Sequence, residues 1–131
     1  MRRSGLLQAE LLGLIARLGH GQMLVIADAG LPIGPEGRLI DLAVRPGLPG
    51  ILAVLEVVLE AGVFEAATLA SELPSSDAVL AEQIAQRVSP LPVGHVSHAE
   101  LKGLTGQAMG VVRTGECRPY ANIILHAGVP F

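Results

Sequence analysis

The sequence has very few aromatic residues: it contains no Trp, one Tyr and two Phe, so aromatic side chains make up only 2% of its 131 residues. The hydrophobic core must therefore be built from Leu, Val, Ile and Ala, because hydrophobic residues still make up 50% of the chain. The mean hydropathy of +0.54 is higher than a small monomer needs. Because small monomers rarely leave large apolar patches in water, we expect part of this surface to be buried between subunits.

Cysteine is also scarce, since Cys117 is the only one. A single cysteine excludes an internal disulfide and suits a reducing cytoplasm, where we expect the protein to act. A catalytic thiol would need a neighbouring base and an electropositive setting. We therefore interpret Cys117 as an inert or loop cysteine rather than as a nucleophile.

The chain has neither a basic cluster nor a long apolar run. Its formal net charge is -3 and its few basic residues are scattered, which disfavours nucleic-acid binding. The apolar runs are far shorter than the roughly 18 residues of a membrane span. Gln8 and Glu10 interrupt the N-terminal stretch that a signal peptide would require. We therefore expect neither a nucleic-acid partner nor membrane insertion.

Apolar residues recur at helical spacing in some stretches and run continuously in others. The predicted helices are 8–18, which ends at Gly19; 51–59; a segment capped by Asp77, with Val79, Leu80, Ile84 and Val88 on its apolar face; and 99–105. The predicted strands are 23–27, 38–44, 63–70, 93–97, 108–113 and 121–126. Residues 74–77 are predicted to form a turn, and the β-branched residues of 51–59 leave a strand open there. This alternation predicts an α/β fold: one three-layer domain over residues 1–131, with a central, largely parallel sheet and helices on both faces.

Two polar residues flank the short, apolar strand 23–27. His20 lies between glycines before the strand, and Asp28 follows it directly. Active-site residues are often placed in this way, because a strand fixes the distance between its ends while glycine turns let polar side chains project. At roughly 3.3 Å per residue the strand holds His20 and Asp28 at opposite ends unless a turn folds one of them back. Further chain, or another subunit, is therefore needed to complete a pocket.

Several chemistries lack their motifs in this chain. Residues 103–106 and the other glycines form neither a phosphate-cradling loop nor a dinucleotide fingerprint, and no serine lies in a Gly-x-Ser-x-Gly elbow. The four histidines include no His-x-x-x-His pair and no Cys/His cluster. The sequence therefore indicates no nucleotide, no metal and no other cofactor.

The polar residues that remain at predicted strand ends and turns share a chemistry. They are His20, Asp28, His98, Tyr120 and Asn122. They combine imidazole, which can exchange a proton near neutral pH, with a carboxylate and with neutral groups suited to hydroxyls. Proton transfer on an uncharged, polyhydroxylated ligand is the chemistry that fits. Each residue alone also fits a purely structural role, such as an Asx turn at Asp28.

Five stretches of the sequence carry a resemblance to a known family. They are 17–21 (Arg-Leu-Gly-His-Gly), 28–33 (Asp-Ala-Gly-Leu-Pro-Ile), 38–41, 98–102 and 113–125. In this order, and nearly from end to end, the chain resembles the D-ribose pyranase family, which shares its fold with the fucose mutarotases. The Tyr120, Ala121 and Asn122 core resembles the pyranase branch, because fucose mutarotases typically carry glycine in place of Ala121.

The resemblance implies an enzyme that interconverts the pyranose form of D-ribose with the furanose form that ribokinase phosphorylates. It implies that His20 is the proton donor. The sugar-contacting positions that it implies are Asp28, His98, Tyr120, Ala121 and Asn122. It also implies ring-shaped homo-oligomers, commonly decamers of two pentamers, with the pocket where neighbouring subunits meet.

His95 and His126 match no position of the family, so we expect them to be structural or surface residues.

The sequence leaves two alternative functions open. An L-fucose-type mutarotase is one of them. A non-catalytic sugar-binding or transport-associated module is the other, because the chain is small and has no cofactor motif.

Overall fold

Six strands and five helices make up the chain, which a computed structural model describes from Met1 to Phe131. The strands are β1 (Met23–Ala27), β2 (Leu39–Asp41), β3 (Phe64–Ala70), β4 (Val93–Val96), β5 (Gly110–Arg113) and β6 (Ile123–Ala127). The helices are α1 (Ala9–Arg17), α2 (Ile51–Ala61), α3 (Leu73–Ser76), α4 (Ala78–Val88) and α5 (His98–Thr105). None of these helices has the length and apolarity that crossing a membrane requires.

The strands form one mixed sheet in the order β2-β5-β1-β6-β3-β4. β6 pairs antiparallel with β1 and β3, and the other three pairings are parallel. The segment 114–122 between β5 and β6 holds no helix. It is too short for the crossover that a parallel strand needs, so β6 returns in the opposite direction. The predicted largely parallel sheet is confirmed, with β6 as the strand that departs from it.

Hydrophobic clusters lie on both faces of the sheet, because successive side chains of a strand point to opposite sides. In β1, Leu24 and Ile26 belong to the larger cluster, which α1, α2 and α4 cover. Val25 and Ala27 face the smaller cluster under α5. All four side chains are fully buried. The predicted layers, with helices on both faces, are therefore confirmed.

The first helix differs from the prediction at its C-terminal end. α1 ends at Arg17 with Leu18 as its C-cap, so Gly19 does not end it. The glycine of this turn with a positive φ is Gly21, at 76°. The helix predicted over 51–59 is confirmed as α2, which runs on to Ala61, and its apolar face packs into the larger cluster.

The prediction for α4 is wrong at Val79, which is 68% exposed. Asp77 is the N-cap, as predicted, and its side chain accepts the Leu80 N–H at 2.9 Å. Val79 precedes Leu80 by one residue and so lies about 100° around the helix from it. Of the four residues predicted for the apolar face, only Leu80, Ile84 and Val88 belong to the larger cluster. Before the cap, the predicted turn is the single helical turn α3.

β5 and β6 both begin two residues later than predicted, at Gly110 and Ile123. The delay before β6 has a visible cause. Tyr120 has a φ of 61°, and the Asn122 N–H donates to the Tyr120 carbonyl at 2.9 Å. Residues 120–122 therefore form a tight turn of the γ type instead of extended strand. β2 is also shorter than the predicted 38–44.

Candidate active site

An open cleft of about 780 Å³ lies beside the carboxyl ends of the parallel strands. Its walls come from the residues that follow β1, from α5 and from the loop between β5 and β6. Ligands of α/β proteins usually bind outside the carboxyl ends of the strands. Three of the predicted sugar-binding residues, Asp28, His98 and Tyr120, line this cleft.

Asp28 is held in the cleft by the buried side chain of Asn122. The Asp28 N–H donates to Asn122 Oδ1 at 2.8 Å, and the Asn122 amide donates back to Asp28 Oδ2 at 2.8 Å. The other carboxylate oxygen accepts the Gly30 N–H at 2.9 Å, which is the Asx turn that the sequence left open. Asn122 is fully buried and lies outside the cleft lining. It therefore orients the Asp28 carboxylate from behind.

His98 and Tyr120 form an aromatic pair in the cleft. Their rings meet edge to face, with centroids 5.2 Å apart, an arrangement that aromatic pairs favour. Nδ1 of His98 is buried without a hydrogen-bond partner, and Tyr120 has a left-handed backbone. Unpaired buried polar atoms and strained backbone both cost free energy, and strain clusters at ligand-binding sites. These two residues therefore have the character of a binding surface.

Glu72 fixes the start of α5 and so the position of His98. Both of its carboxylate oxygens lie 3.0 Å from the His98 N–H, which donates to them. Burial of the carboxylate raises the pKa of Glu72, but hydrogen bonds from the His98 N–H and the Ser71 hydroxyl together bring this pKa below its ordinary value. A carboxylate held ionised at a helix N-terminus is also favoured by the helix dipole.

Glu116 supports the loop between β5 and β6, which forms one side of the cleft. Its side chain is only 7% exposed. Its carboxylate accepts hydrogen bonds from Nε and Nη2 of Arg118 at 2.8 and 2.9 Å. It also accepts the N–H of Ile51 at 3.3 Å, at the start of α2, where the N-cap Gly50 has no side chain to offer. The Arg118 side chain lowers the pKa of Glu116 to about 2; burial opposes this shift, and the backbone N–H groups of Arg118 and Ile51 reinforce it.

The low pKa of Glu116 predicts an acid-sensitive contribution to stability. Its folded-state pKa of about 2 lies below the ordinary value of 4.5. The ionised carboxylate therefore stabilises the fold fully above about pH 4.5, and this contribution is lost as the pH falls toward 2. A shift of this size corresponds to roughly 3 kcal/mol. In urea unfolding, we expect Glu116→Gln to be less stable than the native protein at pH 7 and this difference to close near pH 2.

Glu60→Gln is the matched control for this prediction, because Glu60 is an exposed glutamate of α2. Its free energy of unfolding should follow that of the native protein at every pH. A stability difference for Glu116→Gln that stays constant between pH 7 and pH 2 would contradict the role assigned to the ionised carboxylate.

His20 lies at the other end of β1, away from the cleft. Its turn is pinned by the Gly21 N–H, which donates to the Ala127 carbonyl at 2.7 Å, and by the Gly19 N–H, which donates to the Gln22 side chain at 2.7 Å. The His20 side chain is 61% exposed, and its Nε2 lies 2.8 Å from Oε2 of Glu65. The five residues of β1 span roughly 17 Å. One chain alone therefore does not bring His20 to Asp28.

The structure thus brings together only part of the predicted site. Asp28, His98 and Tyr120 share the cleft, with Asn122 behind them, whereas the Ala121 side chain is fully buried in the larger cluster. Sequence reasoning missed Glu65, Glu72 and Glu116. Glu116 lies inside the stretch 113–125, which is its one sequence signal. Glu65 and Glu72 carry none, because their partners are distant in the chain.

The remaining histidines lie outside this network, whereas the backbone N–H of Cys117 donates to Oε1 of Glu116 at 3.2 Å. His126 Nε2 is 2.9 Å from the Thr68 hydroxyl, and His95 is exposed on the edge strand β4. Cys117 is exposed at the cleft, with its Sγ 3.4 Å from the Gly115 carbonyl. No group of three His, Cys, Asp or Glu side chains is arranged to hold a metal ion.

The chain is similar to known proteins along its whole length. A model of the RbsD / FucU transport protein family matches residues 1–130. A D-ribose pyranase of Laribacter hongkongensis (strain HLHK9) is 47% identical over 131 residues, covering all of both chains. Bacillus subtilis RbsD complexed with D-ribose has a TM-score of 0.96 and 40% identity, again over all of both chains. The fucose mutarotase of Streptococcus pneumoniae in complex with L-fucose shares the fold, with a TM-score of 0.81 and 23% identity over 95% of this chain and 94% of that one.

Proposed function

Because the chain belongs to the RbsD / FucU transport protein family, we propose that it interconverts the pyranose and furanose forms of D-ribose. The observation that carries the proposal is the likeness to Bacillus subtilis RbsD complexed with D-ribose, which extends over the whole of both chains. The Laribacter relative, a D-ribose pyranase, supports the reaction type. The substrate is thus a pentose and the activity that of an isomerase.

The proposed reaction is a sequence of proton transfers. The bond between the anomeric carbon and the ring oxygen breaks, the ring oxygen gains a proton, and the anomeric hydroxyl loses one as it becomes the aldehyde. The aldehyde then recloses through a different hydroxyl, which loses its proton while the carbonyl oxygen gains one. No proton is consumed overall. An imidazole suits such general acid and base steps near neutral pH.

The cleft supplies groups suited to the hydroxyls of a sugar. The Asp28 carboxylate can accept hydrogen bonds from hydroxyls, and the His98 ring and the Tyr120 phenol can donate or accept them. Asn122 keeps Asp28 oriented. Ala121 would contribute only through its backbone, since its side chain is fully buried. In this proposal the cleft binds the sugar, and the proton donor comes from elsewhere.

His20 is the proposed proton donor, and it reaches the sugar from another copy of the chain. Within one chain it lies at the opposite end of β1 from Asp28, and its side chain is 61% exposed. We therefore propose a homo-oligomer in which His20 of one subunit completes the cleft of its neighbour. The resemblance to the D-ribose pyranase family implies that this homo-oligomer is a decamer of two pentameric rings. Exposed apolar side chains support burial between copies, among them Leu39, Val63 and Met109.

Saturation-transfer NMR on D-ribose tests the proposed activity. We expect the pyranose and furanose signals to exchange faster with the protein than in the same buffer alone, because enzyme-bound acid and base groups replace slow proton transfer to water. Heat-denatured protein at the same concentration is the control for non-specific catalysis. An exchange rate equal to that of the buffer would overturn the enzymatic proposal.

The same measurements separate the alternative functions. Faster exchange of the L-fucose anomers with no effect on D-ribose would identify a fucose-type mutarotase. The family description as transport proteins favours a second candidate, a non-catalytic sugar-binding module. Calorimetry that shows tight ribose binding while the exchange rate stays at its buffer value would favour that candidate.

A further inference from the structure

The His20 ring has one side-chain partner, the carboxylate of Glu65, with Nε2 and Oε2 2.8 Å apart. A carboxylate can only accept a hydrogen bond. Nε2 therefore carries a hydrogen, and Nδ1 is the ring nitrogen left to exchange a proton with a sugar. We propose that Glu65 is a positioning residue that fixes the orientation and the tautomer of His20. This role rests on the function proposed above.

Glu65 occupies an irregular position in the sheet. Phe64 pairs with Ala127 and Ala66 pairs with His126, which are consecutive residues of β6. Glu65 is therefore an extra residue of β3 that has no pairing partner in β6. This is the arrangement of a β-bulge, which re-aims side chains and occurs often beside functional sites. In a regular pairing, side chains would alternate strictly between the two faces of the sheet. The bulge thus accounts for a side chain aimed at the His20 turn.

Gly128 leaves space for the base of the Glu65 side chain. A Cβ at Gly128 would lie 3.3 Å from the Cβ of Glu65 and 3.5 Å from its backbone nitrogen. The N–H of Gly128 donates to the Val63 carbonyl at 2.9 Å, which ties the end of β6 to the start of β3. The turn that carries His20 is tied to the same end of β6 through Ala127. Both partners are therefore held by one strand end.

This rigid mounting matters for proton transfer because the reaction depends on the placement of one nitrogen. A neutral imidazole has two tautomers, and the hydrogen bond made by one nitrogen selects which nitrogen carries the proton. Displacing a catalytic group by about 1 Å can cost on the order of 100-fold in rate. Glu65 acts on His20 and not on the sugar, so its removal should lower the maximal rate and leave ribose binding unchanged.

Glu65→Ala and Glu65→Gln test this role. In long-range ¹H–¹⁵N NMR, the neutral His20 ring of the native protein should show mainly the Nε2–H tautomer, and Glu65→Ala should show a mixture. Glu65→Ala should also slow the maximal exchange rate roughly 10- to 100-fold at an unchanged ribose half-saturation concentration. Glu65→Gln should keep the tautomer and most of the rate, because its amide oxygen can accept the same hydrogen bond.

Glu56→Ala is the matched control. Its side chain is 50% exposed, against 47% for Glu65, and its carboxylate pairs with Arg87 at 2.6 Å, not with His20. This variant loses the same charge and should keep both the tautomer and the rate.

Three outcomes would overturn the role of Glu65: an unchanged tautomer ratio and rate in Glu65→Ala, a loss that Glu65→Gln does not restore in part, or weaker ribose binding at an unchanged maximal rate. The tautomer measurement needs no activity. If the native protein fails to accelerate exchange, the proposed function falls, while the link between Glu65 and His20 is still tested by NMR alone.

Discussion

Replacing His20 with alanine should lower the protein-dependent exchange between pyranose and furanose D-ribose by about 10²- to 10⁴-fold, the range typical of a general acid or base. The substitution removes the imidazole proposed to protonate the ring oxygen. The fold should survive, because the His20 side chain is 61% exposed and its turn is held by backbone groups of Gly19 and Gly21. Saturation-transfer NMR measures the rate, and the urea midpoint reports on the fold.

His95→Ala is the control for this substitution, since it removes an exposed histidine from the edge strand β4. We expect it to keep the native rate. If His20→Ala also kept the native rate, His20 would not be the proton donor. The His98 imidazole in the cleft would then be the next candidate.

Two variants that each damage a different half of the site should restore activity to each other once mixed, if the site is shared between subunits. His20→Ala keeps an intact cleft, and His98→Ala lacks the imidazole of the cleft but keeps His20. When the two are unfolded and refolded together in equal amounts, random assembly places an intact cleft beside an intact His20 in about one site in four. The mixture should therefore recover up to about a quarter of the native exchange rate.

The control for this experiment is a mixture of His20→Ala with the double variant that carries both substitutions. No site in that mixture has an intact His20, so it should stay inactive. Light scattering should show that each preparation forms the native oligomer. A 13.6 kDa monomer, or a mixture of the two single variants as inactive as each alone, contradicts a site shared between subunits.

Local patterns in the sequence predict most of the elements that carry the site. β1 is predicted at its observed bounds, Met23–Ala27, because an apolar run between glycine turns has one simple interpretation as a buried strand. Asp77 is predicted as an N-cap for the same kind of reason, since its carboxylate accepts a backbone N–H only three residues away. Interactions that close within a few residues leave a readable signal.

The tight turn at Tyr120 is not predicted, although residues 120–122 are singled out as functional. A non-glycine residue with positive φ is disfavoured locally and is held there by its surroundings. Here the turn packs the Tyr120 ring against the His98 ring and places the Asn122 side chain behind Asp28. Both partners are remote along the chain, so no local pattern announces them.

The cleft itself is only partly foreseeable. The α/β prediction places Asp28 and His98 on the same side of the fold, because each residue follows the carboxyl end of a parallel strand. Tyr120 reaches the same side for a different reason: it precedes β6, which runs in the opposite direction. The direction of β6 depends on where a short connection can enter the sheet, between β1 and β3.

The chemistry available to this protein can be taken from its sequence alone: one imidazole beside glycines, a carboxylate at a strand end, polar groups for hydroxyls, and no motif for a nucleotide, a metal or a nucleophile. The arrangement of these groups cannot. His20 meets Glu65 across 45 positions of the chain, through a slipped register between β3 and β6. Such contacts depend on long-range strand pairing, which the local spacing of apolar residues does not predict. In the folded chain His20 lies at the far end of β1 from Asp28.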